Sequence, residues 1–184
     1  MTGKRLRPWL VVGLGLALLH STTTDVVATS NGCRYSTSSG YSCAIEVSGD
    51  VAQPGRYTLH DIKTLLHSRQ LAPATQNVLF KTGSGSTSAA WSGVLLWDFL
   101  QHVGITAVGR DSVKKIIEIV ATDGYVIKLG AGELDPGFGG HQAVLTIYQD
   151  GELLGEDTGF ARLIFPGDKS GARNIFWIKV IKIY

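Results

Sequence analysis

The feature that most constrains this chain is a hairpin signal in its second half. Val113 to Thr122 carries Ile116, Ile117, Ile119 and Val120, Asp123-Gly124 follows, and Tyr125 to Leu129 is again apolar and β-branched. β-branched side chains fit a pleated surface better than a helix. Asp-Gly supplies the residue of positive φ that a tight antiparallel return requires. The pattern recurs: Ala143 to Tyr148 reads as a strand turned by Asp150-Gly151 into Glu152 to Leu154. Arg162-Leu163-Ile164-Phe165 enters a strand that stops at Pro166-Gly167, and Asp168 to Ala172 is a polar loop. Ile175 to Tyr184 closes the chain as a long apolar strand, with Lys179 and Lys182 at its wet side or edge.

The first half has a different period. Ala44 to Val51 reads as a strand with Ile45 and Val47 facing one way, and Gln53-Pro54-Gly55 turns the chain. Thr58-Leu59-His60-Asp61 predicts a capping box, in which the Thr hydroxyl takes an orphan amide and Asp61 reaches back. Leu59, Ile62, Leu65 and Leu66 form the stripe of a short helix that cannot continue through Pro73. Asn77 to Lys81 is a further strand. Thr82 to Ala90, rich in hydroxyls and glycine and without apolar period, predicts a flexible or cofactor-facing loop. Leu95, Leu96, Phe99, Leu100 and Val103 predict a second helix, with Asp98 and His102 on its solvated face and Trp91 and Trp97 as core aromatics. Gly130 to Gly140, glycine-rich and holding Pro136, reads as a loop. Helices early and hairpins late make the fold class α+β, a mostly mixed or antiparallel sheet with short helices, rather than alternating βαβ units. No glycine fingerprint follows a strand and opens a helix, which excludes a dinucleotide-binding crossover.

The N-terminus has the order of a secretory signal. Lys4, Arg5 and Arg7 precede the apolar and glycine run Leu10 to Leu19, and small residues follow at Val26-Val27-Ala28. Ten residues span about 15 Å as a helix, roughly half a bilayer core. The expected division is a signal peptide at 1–28, a cysteine-containing segment at 29–43 and a domain at 44–184; an uncleaved anchor is the alternative. Cleavage after Ala28 removes Lys4, Arg5, Arg7 and Asp25, so 17 basic and 15 acidic residues become 14 of each. The mature chain is then neutral, without the basic face that nucleic-acid binding needs. It also carries no stable membrane span, and its expected location is periplasmic or secreted. Cys33 and Cys43 lie in a polar segment. In an oxidising compartment a disulfide is the natural expectation, with free thiols the alternative; a redox pair would show tighter spacing.

Several segments, in order, resemble the oxidoreductase molybdopterin-binding domain of sulfite oxidase and plant nitrate reductase. Val47-Ser48-Gly49-Asp50-Val51, Pro54 and Tyr57-Thr58-Leu59 look like its opening. Trp91-Ser92-Gly93-Val94-Leu95-Leu96-Trp97-Asp98-Phe99-Leu100 resembles its W-x-G-V-x-L-x-x-L-L segment, and Ala121-Thr122-Asp123-Gly124-Tyr125 its A-x-D-G-Y. Asp150-Gly151-Glu152-Leu153-Leu154 sits where the family has N-G-x-x-L. Gly159 to Gly167 resembles G-x-P-L-R-L-I-V-P-G, and Gly171 to Ile178 the closing G-x-R-x-V-K-W-L. The resemblance spans residues 44–184 and implies a sulfite oxidase-like fold and a molybdopterin-type cofactor. It also implies a cysteine thiolate on molybdenum between the strand after the first helix and the W-x-G segment. Leu79 to Ala90 contains no cysteine, and the family's lysine before the final tryptophan, implied to touch pterin or phosphate, is Phe176. Neutral hydroxyls do not replace a soft thiolate.

The candidate cofactor-side residues are Ser84, Ser86 and Ser88, with Thr87 among them, His141 after Gly139-Gly140, and Arg173, able to hold a phosphate bidentately. Arg162 matches a family position, where pairing with an acid or bracing a loop is its expected role. No metal ligands and no Ser-His-Asp order or close carboxylate pair are identified. Two functions follow. One is a non-catalytic binding or accessory module for a small anion, a pterin cofactor or an envelope protein; the other is a periplasmic molybdopterin-dependent oxidoreductase. A deep polar cleft shared by Thr82–Ala90 and Pro166–Arg173 would favour a bound anion or pterin, and a filled apolar contact a scaffold.

Overall fold

The computed structural model describes residues 42–82, 85–106, 109–155 and 157–184. Ten strands in this part form two sheets. The first has the order β2-β1-β10-β5-β6, from β1 (Ala44–Gly49), β2 (Gly55–Thr58), β5 (Ile116–Ala121), β6 (Val126–Gly130) and β10 (Ile178–Ile183). Only β1 and β10 pair in parallel; the other pairs of this sheet are antiparallel. The second runs β3 (Pro73–Thr82), β4 (Gly85–Leu95), β7 (Val144–Gln149) and β8 (Glu152–Leu153), with β9 (Arg162–Ile164) also paired to β7, all antiparallel.

Alternation fixes which face each strand of the first sheet buries. Ile45 and Val47, Ile117 and Ile119, Ile127 and Leu129, and Ile181 and Ile183 all enter one core. Lys182 sits opposite Glu118 on the wet face, where Lys128 Nζ also reaches Glu118 at 2.8 Å. Because β10 is central, the Lys179 and Lys182 positions belong to a wet side and not to an edge. The final strand is shorter than its apolar run: Trp177 stands at φ 47° and β10 begins at Ile178. Val94, Leu145, Ile147 and Leu163 bring the second sheet into the same core. Its other face carries a separate cluster of Val78, Ala89, Trp91, Leu154 and Ile164.

The expected caps and turns form, with one adjustment. Helix α1 (Leu59–His67) starts on a capping box: the Asp61 amide donates to Thr58 Oγ1 at 3.2 Å, and the Thr58 amide to Asp61 Oδ2 at 2.7 Å. Asp150 and Gly151 hold φ of 51° and 88°, both positive as a two-residue type I′ turn demands. The Asp123-Gly124 return is one residue longer. The Gly124 amide donates to the Ala121 carbonyl at 3.2 Å with Gly124 at φ 88°, and Asp123 Oδ1 accepts from the Tyr125 amide at 2.9 Å. Helix α2 (Leu96–His102) buries Leu96, Trp97, Phe99 and Leu100. Among the described residues no helix is long and apolar enough to cross a membrane.

Two loop expectations are corrected. Gly130 to Gly140 contains a one-turn helix, α3 (Ala131–Leu134), closed where Glu133 Oε1 accepts from the Gly130 amide at 2.9 Å. Thr82 to Ala90 is not a loop over most of its length. β3 and β4 pair continuously from Pro73 opposite Val94 to Thr82 opposite Gly85. A ladder of main-chain hydrogen bonds extends a hairpin past its apolar stretch, so the polar arm needs no hydrophobic period. Pro73 occupies the first residue of an edge strand, where its missing N–H costs no ladder bond.

Gly93, the glycine of Trp91-Ser92-Gly93, is demanded by proximity. A Cβ there would lie 2.0 Å from the Leu145 carbonyl oxygen and 2.7 Å from Thr146 Cα across the β4–β7 contact. Gly93→Ala is expected to lower stability by at least about 2 kcal/mol through overpacking against backbone, read as a fall in the urea midpoint. An unchanged midpoint would show that β4 and β7 separate at no cost.

Candidate functional site

A cleft of about 960 Å³ opens on the face of the second sheet away from the main core. One wall is the β3–β4 hairpin, with Val78, Leu79, Ser88, Ala89 and Trp91. The other is polar: Gln149 and Asp150 at the β7–β8 turn, and Asp168, Lys169, Ser170, Gly171 and Asn174 after β9. The hairpin arm and the Pro166–Arg173 segment therefore share one cleft with polar groups in it.

The β7–β8 turn is clasped to the hairpin. The Asp150 amide donates to the Ala90 carbonyl, and the Ala90 amide to Asp150 Oδ1, both at 2.8 Å. Arg162 forms the floor. β9 sets its position opposite Thr146, whose Oγ1 donates to the Arg162 carbonyl at 3.0 Å. Its side chain lies between two rings, with Cζ 4.4 Å from the Trp91 centroid and 3.7 Å from the Phe176 centroid. Arg162 is only 8% exposed, and burial pushes its guanidinium down to about 10. Phe176, 37% exposed, supplies one face of this stack at the position where a lysine was expected from the resemblance.

The polar wall is held from behind by charge. Arg173 Nε and Nη2 donate to Asp168 at 2.8 and 2.5 Å, and Nη1 donates to Glu133 of α3 at 3.1 Å. Its guanidinium also covers the Phe165 ring at 4.3 Å. The Arg173 hydrogen bond holds the Asp168 carboxyl below its ordinary range against the opposing effect of burial; the charges of Arg173 and His141 add to the lowering. The same pairing raises Arg173. Buried Asn174 takes the Phe165 amide at 2.8 Å through Oδ1, fixing the far end of the segment.

The sequence-predicted residues divide between these places. Ser88 is exposed on β4 and lines the cleft. Ser84 lies outside the described residues; Ser86 is on β4 opposite Lys81, its side chain outside what is described. Arg173 and His141 come together beside Asp168, behind the wall, and neither is among the cleft-lining residues. Sequence reasoning missed Asp150 and Lys169 as lining groups and underweighted Arg162 and Trp91. A lone arginine entering an apolar strand was the available signal for Arg162. Among the described residues no three His, Cys, Asp or Glu side chains are grouped to hold a metal.

Residues 36–184 match the family described as oxidoreductase molybdopterin binding domain. The chain is 30% identical to nitrate reductase (NAD(P)H) of Betula pendula over 75% of its own length and 18% of that enzyme. It is 28% identical to nitrate reductase (NADH) 1 of Phaseolus vulgaris, over 76% of this chain and 18% of that enzyme. The chain thus spans under a fifth of the curated relatives it matches. Sulfane dehydrogenase SoxCD of Paracoccus pantotrophus superposes with a TM-score of 0.60 at 17% identity, covering 83% of this chain and 40% of that one. That likeness concerns the fold.

Two outcomes follow from the charges. With its folded carboxyl held low, Asp168 binds fewer protons than in the unfolded chain, so its contribution is complete above the ordinary aspartate value near 4 and is lost as pH falls through the folded value. Asp168→Asn is expected to cost about 1 kcal/mol at pH 7 and to flatten the acid side of the urea-midpoint profile; parallel profiles would remove the pair from the stability of the wall. Arg162 runs the other way: desolvating its charge costs the folded state on the order of a few kcal/mol, partly offset by the ring faces. Arg162→Met, an apolar side chain that still packs between rings, is expected to lower the urea midpoint less than Arg162→Ala, which also empties that space. A large fall would make Arg162 a structural brace.

Proposed function

Because the chain belongs to the oxidoreductase molybdopterin binding domain family, we propose that it is an exported, non-catalytic module of that fold, which holds an anionic ligand in the cleft. The observation that carries this reading is the donor set. Among the described residues the lining offers hydroxyl, amide, carboxylate, ammonium and guanidinium groups, and neither cysteine nor histidine. Of the chain's two cysteines, Cys43 stands buried before β1 in the other sheet, and Cys33 lies ten residues earlier in the sequence, outside the described residues. These residues do not fit a thiolate-held molybdenum, since oxygen donors lack the softness of a thiolate. No redox step is therefore derived through such a group. The basic groups Arg162 and Lys169 fit an anion, and the apolar hairpin wall fits a planar body beside it.

Export supports the remaining details. The positive, apolar and small-residue order of 1–28 favours cleavage after Ala28 and a periplasmic or secreted mature chain. Among the described residues no cysteine is free, which supports a Cys33–Cys43 bridge in that oxidising compartment. Such a bridge would contribute about 2–3 kcal/mol by closing a short loop.

The test uses full-length precursor expressed through its own export route. Mass spectrometry of the exported protein is expected to show a chain beginning after Ala28 and no thiol reactive under denaturing, non-reducing conditions. Metal analysis and an absorbance spectrum are expected to show substoichiometric molybdenum and no bound chromophore. One tightly held molybdenum per chain, with oxidase or reductase turnover, would replace this reading with that of an oxidoreductase.

A further inference from the structure

An open sheet ends in strands whose outer N–H and C=O groups have no partner within the sheet, and folds blunt such edges with short strands, charges, bulges or proline. Among the described residues most edges here are blunted. β2 has four residues and follows Pro54-Gly55. β6 has five, carries Lys128 at its middle and runs directly into α3. β8 has two, and β9 has three, with the Leu163 amide donating to the Ile175 carbonyl at 3.0 Å. β3 differs. It is ten residues long, pairs with β4 without a register shift, and has no charged residue before Lys81 and no proline after Pro73.

The main-chain groups that β3 turns outward follow from its neighbour. Ala90 uses both its amide and its carbonyl on Asp150, at 2.8 Å each, and so faces away from β3. Asn77, its partner in register, therefore forms a pair without main-chain hydrogen bonds, and its own N–H and C=O point away from β4. Alternation gives the same direction to Thr75, Leu79 and Lys81. Thr75 and Asn77 are exposed, and Leu79 is 58% exposed.

A two-fold axis beside Val78 matches these groups to themselves. Antiparallel pairing of two copies of β3 about that axis sets Thr75 against Lys81 and Asn77 against Leu79, twice each. Every outward N–H and C=O from Thr75 to Lys81 then finds a partner, and Pro73, which has no N–H, stays outside the ladder. Val78 meets its own copy in a close pair without main-chain hydrogen bonds, extending the cluster it forms with Ala89 and Trp91 across the axis. Charge does not oppose the contact. The strand's one charged residue, Lys81, faces Thr75, and the two lysines stand six residues apart along the ladder, about 20 Å. The chain cleaved after Ala28 carries 14 basic and 14 acidic residues, so two copies do not repel through net charge.

We propose that β3 is a self-association edge, through which two copies of this chain join their second sheets into one continuous sheet about a two-fold axis at Val78. The contact is a strand pair with few side chains, which places it in the weak, reversible class. It does not depend on what the cleft holds, so its failure leaves the reading of the cleft as it was.

The test is sedimentation velocity of the mature protein from micromolar to near-millimolar concentration, with amide hydrogen exchange at both ends of that range. The sedimentation coefficient is expected to rise from that of a monomer toward that of a dimer, and the Thr75, Asn77 and Leu79 amides to exchange more slowly at the high end. Asn77→Pro removes an outward N–H and no bond to β4, and Leu79→Lys brings two like charges together near the axis. Both are expected to remain monomeric at the highest concentration with the urea midpoint of dilute protein nearly unchanged. Val78→Cys is expected to cross-link to its own copy on oxidation, and Leu79→Cys, which faces Asn77, to do so several-fold less. A monomer at every concentration would overturn the proposal, and slow exchange of the three amides in that monomer would assign the edge to another segment of the same chain. A dimer indifferent to Asn77→Pro and Leu79→Lys would move the interface elsewhere. Cross-linking at Leu79 in preference to Val78 would overturn the register.

Discussion

Strand β7 is paired along both edges and covered on both faces, and the position of the cleft follows from that. β4 lies on one side of it, and β9 and β8 on the other. Val144, Leu145, Thr146 and Ile147 are all fully buried, with Leu145 and Ile147 in the main core. A strand enclosed in this way cannot slip by one residue without driving its core side chains to the wrong face. Its neighbours inherit that rigidity. Gly93 allows β4 to approach it, Thr146 fixes the backbone of Arg162, and Asp150 clasps the turn to Ala90. The floor and two margins of the cleft are thus set by backbone pairing, which is stiffer than any side-chain contact in the site.

The remaining wall is built differently. The segment after β9 has a single-turn 3₁₀ stretch at Gly171–Arg173 and otherwise depends on Asn174 at one end and the Arg173 cluster behind it. Arg173 spans Asp168 and Glu133, so it joins the cleft wall to α3, an element that does not itself line the cleft. Partly exposed pairs of this kind contribute little stability singly, but a fork shared by two carboxylates fixes geometry. The arginine that looked best suited to a ligand from its place in the sequence is spent on this bracing. Arg162, expected to pair with an acid or brace a loop, is buried on the cleft floor beside Trp91 and Phe176.

Legibility in the sequence follows the same division between local and long-range contacts. Features set by local chemistry could be read directly: the Thr58–Asp61 capping box, the type I′ turn at Asp150-Gly151, and the alternation in β1, β5 and β6. The outer arm of the β3–β4 hairpin could not, because its order comes from a partner strand and not from its own apolar period. The same holds within the site. The Trp91–Arg162–Phe176 stack joins three segments spread across more than eighty residues, and nothing near any one of them signals the other two. Ser88 was legible as a lining residue because it sits on the arm itself, although that arm proved to be a strand.

The distribution of groups over elements explains how the fold persists without a thiolate. The position where the resemblance places the metal's cysteine lies on the polar hairpin arm, far along a ladder that needs no particular side chain. The cationic floor lies on β9, held by β7, and the polar wall lies on the segment after it. Changing a donor on the arm therefore leaves β7 pairing, Arg162 burial and the Arg173 brace untouched. Arg162 itself is a costly residue to retain. A desolvated guanidinium works against folding, and an apolar side chain could fill the space between Trp91 and Phe176.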